Sequence, residues 1–226
     1  MDEINEEIRK KLYTNKEYPR TITLKPIDSN YTKELITKLH PNDIYFHENK
    51  NQYLNMRYSI KKDEIYNFEI DEDKRQEYIE KRYIIFPVII ILETADCINH
   101  LIVFIVDNKK RDITYIDTLG FNNYADKEKT YKKLRKTFIK KLKEKKLKKY
   151  KKVAYDIPIQ LYLKDDKNPW YYENACVIIT ALYIYVYVKF EGNHKKIVET
   201  IKTIREKEIK EKIQKLLILM YVSIMY

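Results

Sequence analysis

Glycine is almost absent from this chain, with 2 in 226 residues. Gly120 and Gly192 stand far apart, which excludes a glycine-rich loop that wraps phosphates in backbone N–H groups. Cysteine is equally scarce: Cys97 and Cys176 are the 2 present, too few for a disulfide framework. The opening stretch MDEINEEIRKKLY is charged and lacks an apolar targeting core, so a reducing, intracellular setting is expected. Long apolar runs are lacking too. The longest, ACVIITALYIYVYV from Ala175 to Val188, is too short to span a bilayer and too uniformly apolar for a surface helix, and so predicts a buried helix. No repeat and no Pro- or Ser-rich linker interrupts the chain.

Hydrophobic residues make up 44% and charged residues 35%, enough for both a core and a soluble surface. The 22 tyrosines, with abundant Lys, Ile and Asn, follow the codon bias of an AT-rich genome and carry no catalytic weight. The net charge of +11 is concentrated in KKLRKTFIKKLKEKKLKKYKK, residues 132–152. There Leu134, Phe138 and Leu142 recur at helical spacing, continued by Leu147 and Tyr150, which predicts a lysine-rich helix docked by a narrow apolar stripe. Its lysines form a solvated face, or hold an acidic partner or nucleic acid. Aromatic residues that could stack on bases are not interleaved through the run, which weighs against nucleic acid.

The first 80 residues are charged and ambiguous, with a helical patch in SNYTKELITKLH capped by Ser29 and strand signals in TITL and YLNMRYSI. They are expected to form an N-terminal extension, residues 1–80, packed on a core of residues 81–226, the whole making one compact domain. From Tyr83 the pattern sharpens. YIIFPVIIIL and HLIVFIV read as strands, DNKKRD as a turn and ITYIDTL as a third strand. After the lysine-rich helix comes VAYDIPIQLYL, a strand candidate interrupted by Pro158, then the buried helix from about Cys176, then one or two amphipathic helices. This order predicts an α+β domain, a central sheet packed against the buried helix.

A histidine opens the apolar run HLIVFIV, and a titratable ring at a core edge needs a partner. With Val106 set opposite Ile113 across the turn, Ile102 faces Asp117, and His100 and Asp117 become diagonal neighbours on one face, about 7–8 Å apart at the backbone. A slip of one residue would separate them. The carboxylate could then fix the imidazole tautomer and stabilise the imidazolium. Cys176 lies where a loop runs into the buried helix, in a first turn whose dipole favours thiolate. Beside His100 it would be an activated nucleophile; taken alone, it reads as a buried structural cysteine. Cys97, in a strand connection, reads as structural. Zinc would need four ligands at suitable spacing, and Cys97 with His100 supplies only two. His40, His47 and His194 lie in polar, turn-like surroundings and are expected at the surface.

The run FPVIIILETADCINHLIVFIVDNKKRDITYIDTLG, then DIPIQ, then Cys176 opening an apolar helix, resembles the cysteine proteases that include the Ulp/SENP enzymes and the adenovirus protease. The resemblance spans residues 84–190. It implies an α+β fold with a mixed or antiparallel central sheet on a helix that begins at the catalytic cysteine. It also implies roles: Cys176 as nucleophile, His100 as general base and then acid, Asp117 as its orienting partner, Gln160 as an oxyanion donor. Leu101 replaces the aromatic residue that commonly follows the histidine, and Ala175 and Val177 replace the usual neighbours of the cysteine. Gln160 stands further upstream than usual, so LYLKDDKNPWYY must loop out, with Asn168, Asn174 or backbone N–H groups as substitutes. The implied reaction is cleavage of peptide or isopeptide bonds after Gly-Gly or Gly-X-Gly, without cofactor or metal. The implied substrate is a protein, either a viral precursor or a SUMO- or ubiquitin-like modifier, met in host cytoplasm, nucleus or virion. Two alternatives stay open: acetyl transfer from acetyl-CoA by the same triad, and a non-catalytic binding module whose lysine-rich helix holds an acidic partner.

Overall fold

The computed structural model describes residues 2–12, 33, 36–38, 43–47, 57–59, 62, 64–66, 68, 73, 75–91, 100–118, 127–144, 151–156, 175–203, 215, 216 and 220. The chain divides into two compact units, Asn42–Asp156 and the pair Met1–Pro41 with Ile157–Tyr226.

The first unit is a sheet backed by a helix. Its strands are β1 (Ile44–Phe46), β2 (Arg57–Ser59), β3 (Glu64–Tyr66), β4 (Tyr83–Ile91), β5 (His100–Asp107), β6 (Asp112–Asp117) and β7 (Lys151–Asp156). They run in the order β3-β2-β4-β5-β6-β7, and β1 pairs with β4 on the side that β2 also uses. The β4-β5-β6 centre is antiparallel, whereas β1 and β2 on β4, and β7 on β6, are parallel. Strands β1 to β3 precede residue 80 and pair within this sheet.

Pro87 sits inside β4, where a strand normally cannot spare a donor. Tyr83 N–H and Ile85 C=O bond toward β1, so position 87 has its missing N–H on that same side. There β1 pairs with residues 83–85 and β2 with residues 89–91, and Pro87 falls between the two.

The β5–β6 hairpin pairs Val103 with Ile116 through to Asp107 with Asp112, the register read from the sequence. Its turn is held by Asp107. The fully buried carboxylate accepts the N–H groups of Lys109 and Lys110 at 2.9 Å through Oδ1, and Arg82 Nε lies 3.9 Å from Oδ2. Asn108 donates its side-chain amide to the carbonyls of Tyr78 and Lys81, both at 2.8 Å, anchoring the turn to the end of α2 (Arg75–Glu80).

Strand alternation puts Ile84, Phe86 and Val88, Ile102, Phe104 and Val106, and Ile113 and Tyr115 in one core. Helix α3 (Lys127–Glu144) closes it with Leu134, Phe138 and Leu142. The Phe138 ring lies 3.9 Å from Phe104 at 6° and meets Phe86 and Phe68 edge-on at 5.3 and 5.8 Å. Lys132, Lys133, Lys136 and Lys140 are exposed, as the stripe requires. The helical segment is displaced from residues 132–152, however. It begins at Lys127 and gives way to β7, in which Lys151 and Lys152 are strand residues opposite Asp112 and Ile113. Tertiary pairing with β6 there overrides the helix propensity of lysine. Leu147 and Tyr150 lie outside the described residues. The described strand runs to Asp156, and the rest of the expected VAYDIPIQLYL strand, Pro158 included, also lies outside the described residues.

His47 is not at the surface. It is 4% exposed, its N–H bonds to the Ile85 carbonyl at 2.8 Å, and its Nδ1 shares a 2.6 Å hydrogen bond with the Tyr78 hydroxyl. Its ring packs against Phe86 and Phe68 at 4.8 and 5.9 Å. Continuation of the β1–β4 ladder draws position 47 into the sheet despite the polar residues that follow it.

In the second unit, α4 (Ala175–Lys189) is the predicted buried helix, with every residue from Ile178 to Val188 excluded from water. It stops at Glu191 and Gly192, both at positive φ, where Gly192 N–H bonds the Tyr187 carbonyl at 2.8 Å. A Cβ at 192 would fall 2.8 Å from the Tyr187 hydroxyl, so glycine is needed there for space as well as for φ. Asn193 caps α5 (His194–Lys202), accepting the Lys196 N–H, and Ile197 and Ile201 are buried. Helix α1 (Asp2–Leu12) buries Ile4 and Ile8, and its Glu7 pairs with Lys189 at the end of α4. Burial, and then the neighbouring carboxylates of Glu7 and Glu3, hold the Tyr185 phenol well above the ordinary tyrosine range.

Two measurements test this packing. Phe138→Ala should lower the unfolding free energy by about 3–5 kcal/mol in urea titrations. Unfolded tyrosine ionises near pH ~10 whereas folded Tyr185 stays protonated, so its contribution is intact below that pH and declines above it, by at most about 1.4 kcal/mol per pH unit. Stability measured from pH 9 to 11 should therefore fall less steeply in Tyr185→Phe than in the parent protein.

Candidate functional site

Asp117 ends β6, and its side chain is fully buried. Burying a carboxylate is costly unless it is hydrogen-bonded. Tyr115, two residues earlier and on the same face of the strand, donates its hydroxyl to Asp117 Oδ2 at 3.2 Å. Asp107 is equally buried, but its Oδ1 serves the hairpin turn, whereas Asp117 stands at the end of β6.

His100 is the first residue of β5, opposite Ile90 of β4. The hairpin register, carried past Val103 and Ile116, sets residue 102 opposite 117 and leaves backbone positions 100 and 117 diagonal on one face. Asp117 in turn lies opposite Asp156 of β7. At positions 100 and 176 it is the backbone that is described. Cys176 is the second residue of α4, within the first turn, whose N–H groups have no acceptor inside the helix and whose dipole favours an anion. It belongs to the helical unit, and His100 and Asp117 belong to the sheet unit.

Gln160, Asn168, Asn174, Cys97 and His40 lie outside the described residues. His194 opens α5 and is exposed, as expected. Among the described residues no group of three or more His, Cys, Asp or Glu side chains could hold a metal ion, and no helix is long and apolar enough to cross a membrane.

Tyr115 was not legible as a functional residue. The available signal was its spacing: two residues before a carboxylate on a strand that is buried along its length, it is the nearest same-face group able to donate.

No family model matches the sequence, and no curated protein does. Solved structures do resemble this one. The effector protein ChlaDUB1 of Chlamydia trachomatis is 10% identical over 97% of this chain and 90% of its own, with a TM-score of 0.50. The C-terminal Ulp1 protease domain, solved with SMT3, the yeast ortholog of SUMO, is 11% identical over 99% of this chain and 96% of its own, with a TM-score of 0.42. The likeness is one of fold: the α+β architecture expected from the sequence is the architecture found.

Proposed function

We propose that this protein is a cysteine peptidase of the Ulp type, acting on peptide or isopeptide bonds through Cys176, His100 and Asp117. The observation that carries this reading is a fully buried carboxylate, Asp117, at the strand end diagonal to the backbone of His100. A cysteine in the first turn of the buried helix α4 supports it, since that is where a thiolate is electrostatically favoured. In the proposed cycle His100 accepts the thiol proton, and the Cys176 thiolate attacks the carbonyl. His100 then donates that proton to the leaving amine, and water, deprotonated by His100, releases the acyl group from sulfur. Asp117 stabilises the imidazolium in both halves. The oxyanion is held by N–H groups at the start of α4, with Gln160 as an added donor.

The substrate is a protein carrying Gly-Gly or Gly-X-Gly before the scissile bond, a ubiquitin-like modifier or a viral precursor. The exposed lysines of α3, Lys132, Lys133, Lys136 and Lys140, suit a substrate or partner with an acidic face, because the chain carries a net charge of +11.

Turnover of fluorogenic modifier amides tests the chemistry. Cys176→Ala should abolish it with the fold retained, His100→Ala should reduce it by roughly 10²–10⁴-fold, and Asp117→Asn should reduce it less. Unchanged turnover in Cys176→Ala, or equal sluggish alkylation of Cys97 and Cys176 by iodoacetamide, would falsify the enzyme reading and leave a binding module.

The electrostatic part has its own readout. Raising salt, or combining Lys132→Glu, Lys136→Glu and Lys140→Glu, should raise KM by roughly tenfold with kcat unchanged. A KM indifferent to both would remove the acidic partner from α3.

A further inference from the structure

Tyr115 is buried in the aromatic core of the sheet unit, among Phe86, Phe104 and Phe138, and its ring packs 5.3 Å from Phe104 at 58°. Its residue exposure is 2%. A buried phenol is favoured where it finds a hydrogen-bond partner. It touches Asp117, donating to Oδ2 at 3.2 Å.

We propose that Tyr115 is a positioning residue for the site, holding the plane of the Asp117 carboxylate that orients the imidazole of His100. The inference rests on the reading of Asp117 and His100 as catalytic partners. The terminal torsion of aspartate is broad and nearly two-fold, so packing alone selects a carboxylate orientation poorly. A donor on one oxygen removes that freedom. Here the donor is itself rigid, because the ring carrying it is clamped against Phe104, which is stacked in turn on Phe138 of α3. The line from α3 through Phe104 and Tyr115 to Asp117 therefore makes the carboxylate geometry a property of the core.

The test reads the His100 imidazole directly and needs no substrate. Proton NMR titration follows the ring signals of the 4 histidines, with His100 assigned from their loss in His100→Gln. Asp117→Asn should lower the His100 pKa by about one unit or more, through loss of the adjacent negative charge. Tyr115→Phe, which keeps the ring and its packing, should lower it partway, by about half a unit. The double variant should titrate like Asp117→Asn alone, because Tyr115 acts only through the carboxylate. A purely structural tyrosine would change the unfolding midpoint and leave this pKa in place. The proposal is overturned if Asp117→Asn moves the His100 pKa while Tyr115→Phe leaves it unchanged or raises it, or if the two effects add. If Asp117→Asn itself leaves His100 unmoved, the pairing of those residues fails, and the role of Tyr115 fails with it.

Discussion

The pleat of the β5–β6 hairpin governs the rest of the sheet unit. Side chains alternate along a strand, so a single register decides which residues enter the aromatic core and which end of β6 meets which end of β5. With Val103 opposite Ile116, the core receives Ile102, Phe104, Val106, Ile113 and Tyr115 together. The same alignment carries Asp117 onto that face and leaves it diagonal to position 100. Slippage by one residue would expel the aromatic layer and separate the two polar positions at once. The Asp107 carboxylate, accepting two turn N–H groups, is the local device that makes this alignment the favourable one.

Against that face α3 presents opposite chemistries on its two sides. Leu134, Phe138 and Leu142 complete the core, and Lys132, Lys133, Lys136 and Lys140 are exposed. A lysine-rich segment is thereby compatible with a well-packed domain, because its lysines lie on the exposed faces while one apolar stripe docks. Phe138 is central to the arrangement: it meets Phe104 face to face and Phe86 and Phe68 edge-on, so helix and sheet share one continuous aromatic layer. That layer extends to Tyr115, which links the packing of the core to the carboxylate of the proposed triad.

Several elements were legible because their cause is local. Strands β4, β5 and β6 are apolar runs bounded by turn residues, and α4 is apolar around its whole circumference. Other elements depend on partners remote in the chain. The short strand β1 has little pattern of its own and pairs along β4, and β2, within the YLNMRYSI strand signal, pairs with β4 on one side and β3 on the other. Lys151 and Lys152 look helical by composition but pair with β6. His47, amid polar neighbours, is buried because Tyr78, far along the chain, supplies a hydrogen bond, and Phe68 and Phe86 supply walls.

The candidate site divides along the same line. Periodicity and the position of the turn were enough, by themselves, to set His100 and Asp117 on one face, since a strand has only two faces and a hairpin only one register that buries its apolar residues. Residue order was likewise enough to put Cys176 at the head of a buried helix. The burial of Asp117 and the identity of its donor were decided by tertiary structure alone. Whether a phenol reaches a carboxylate depends on how α3 packs the ring against Phe104, a three-dimensional fit that leaves no periodic trace in the chain.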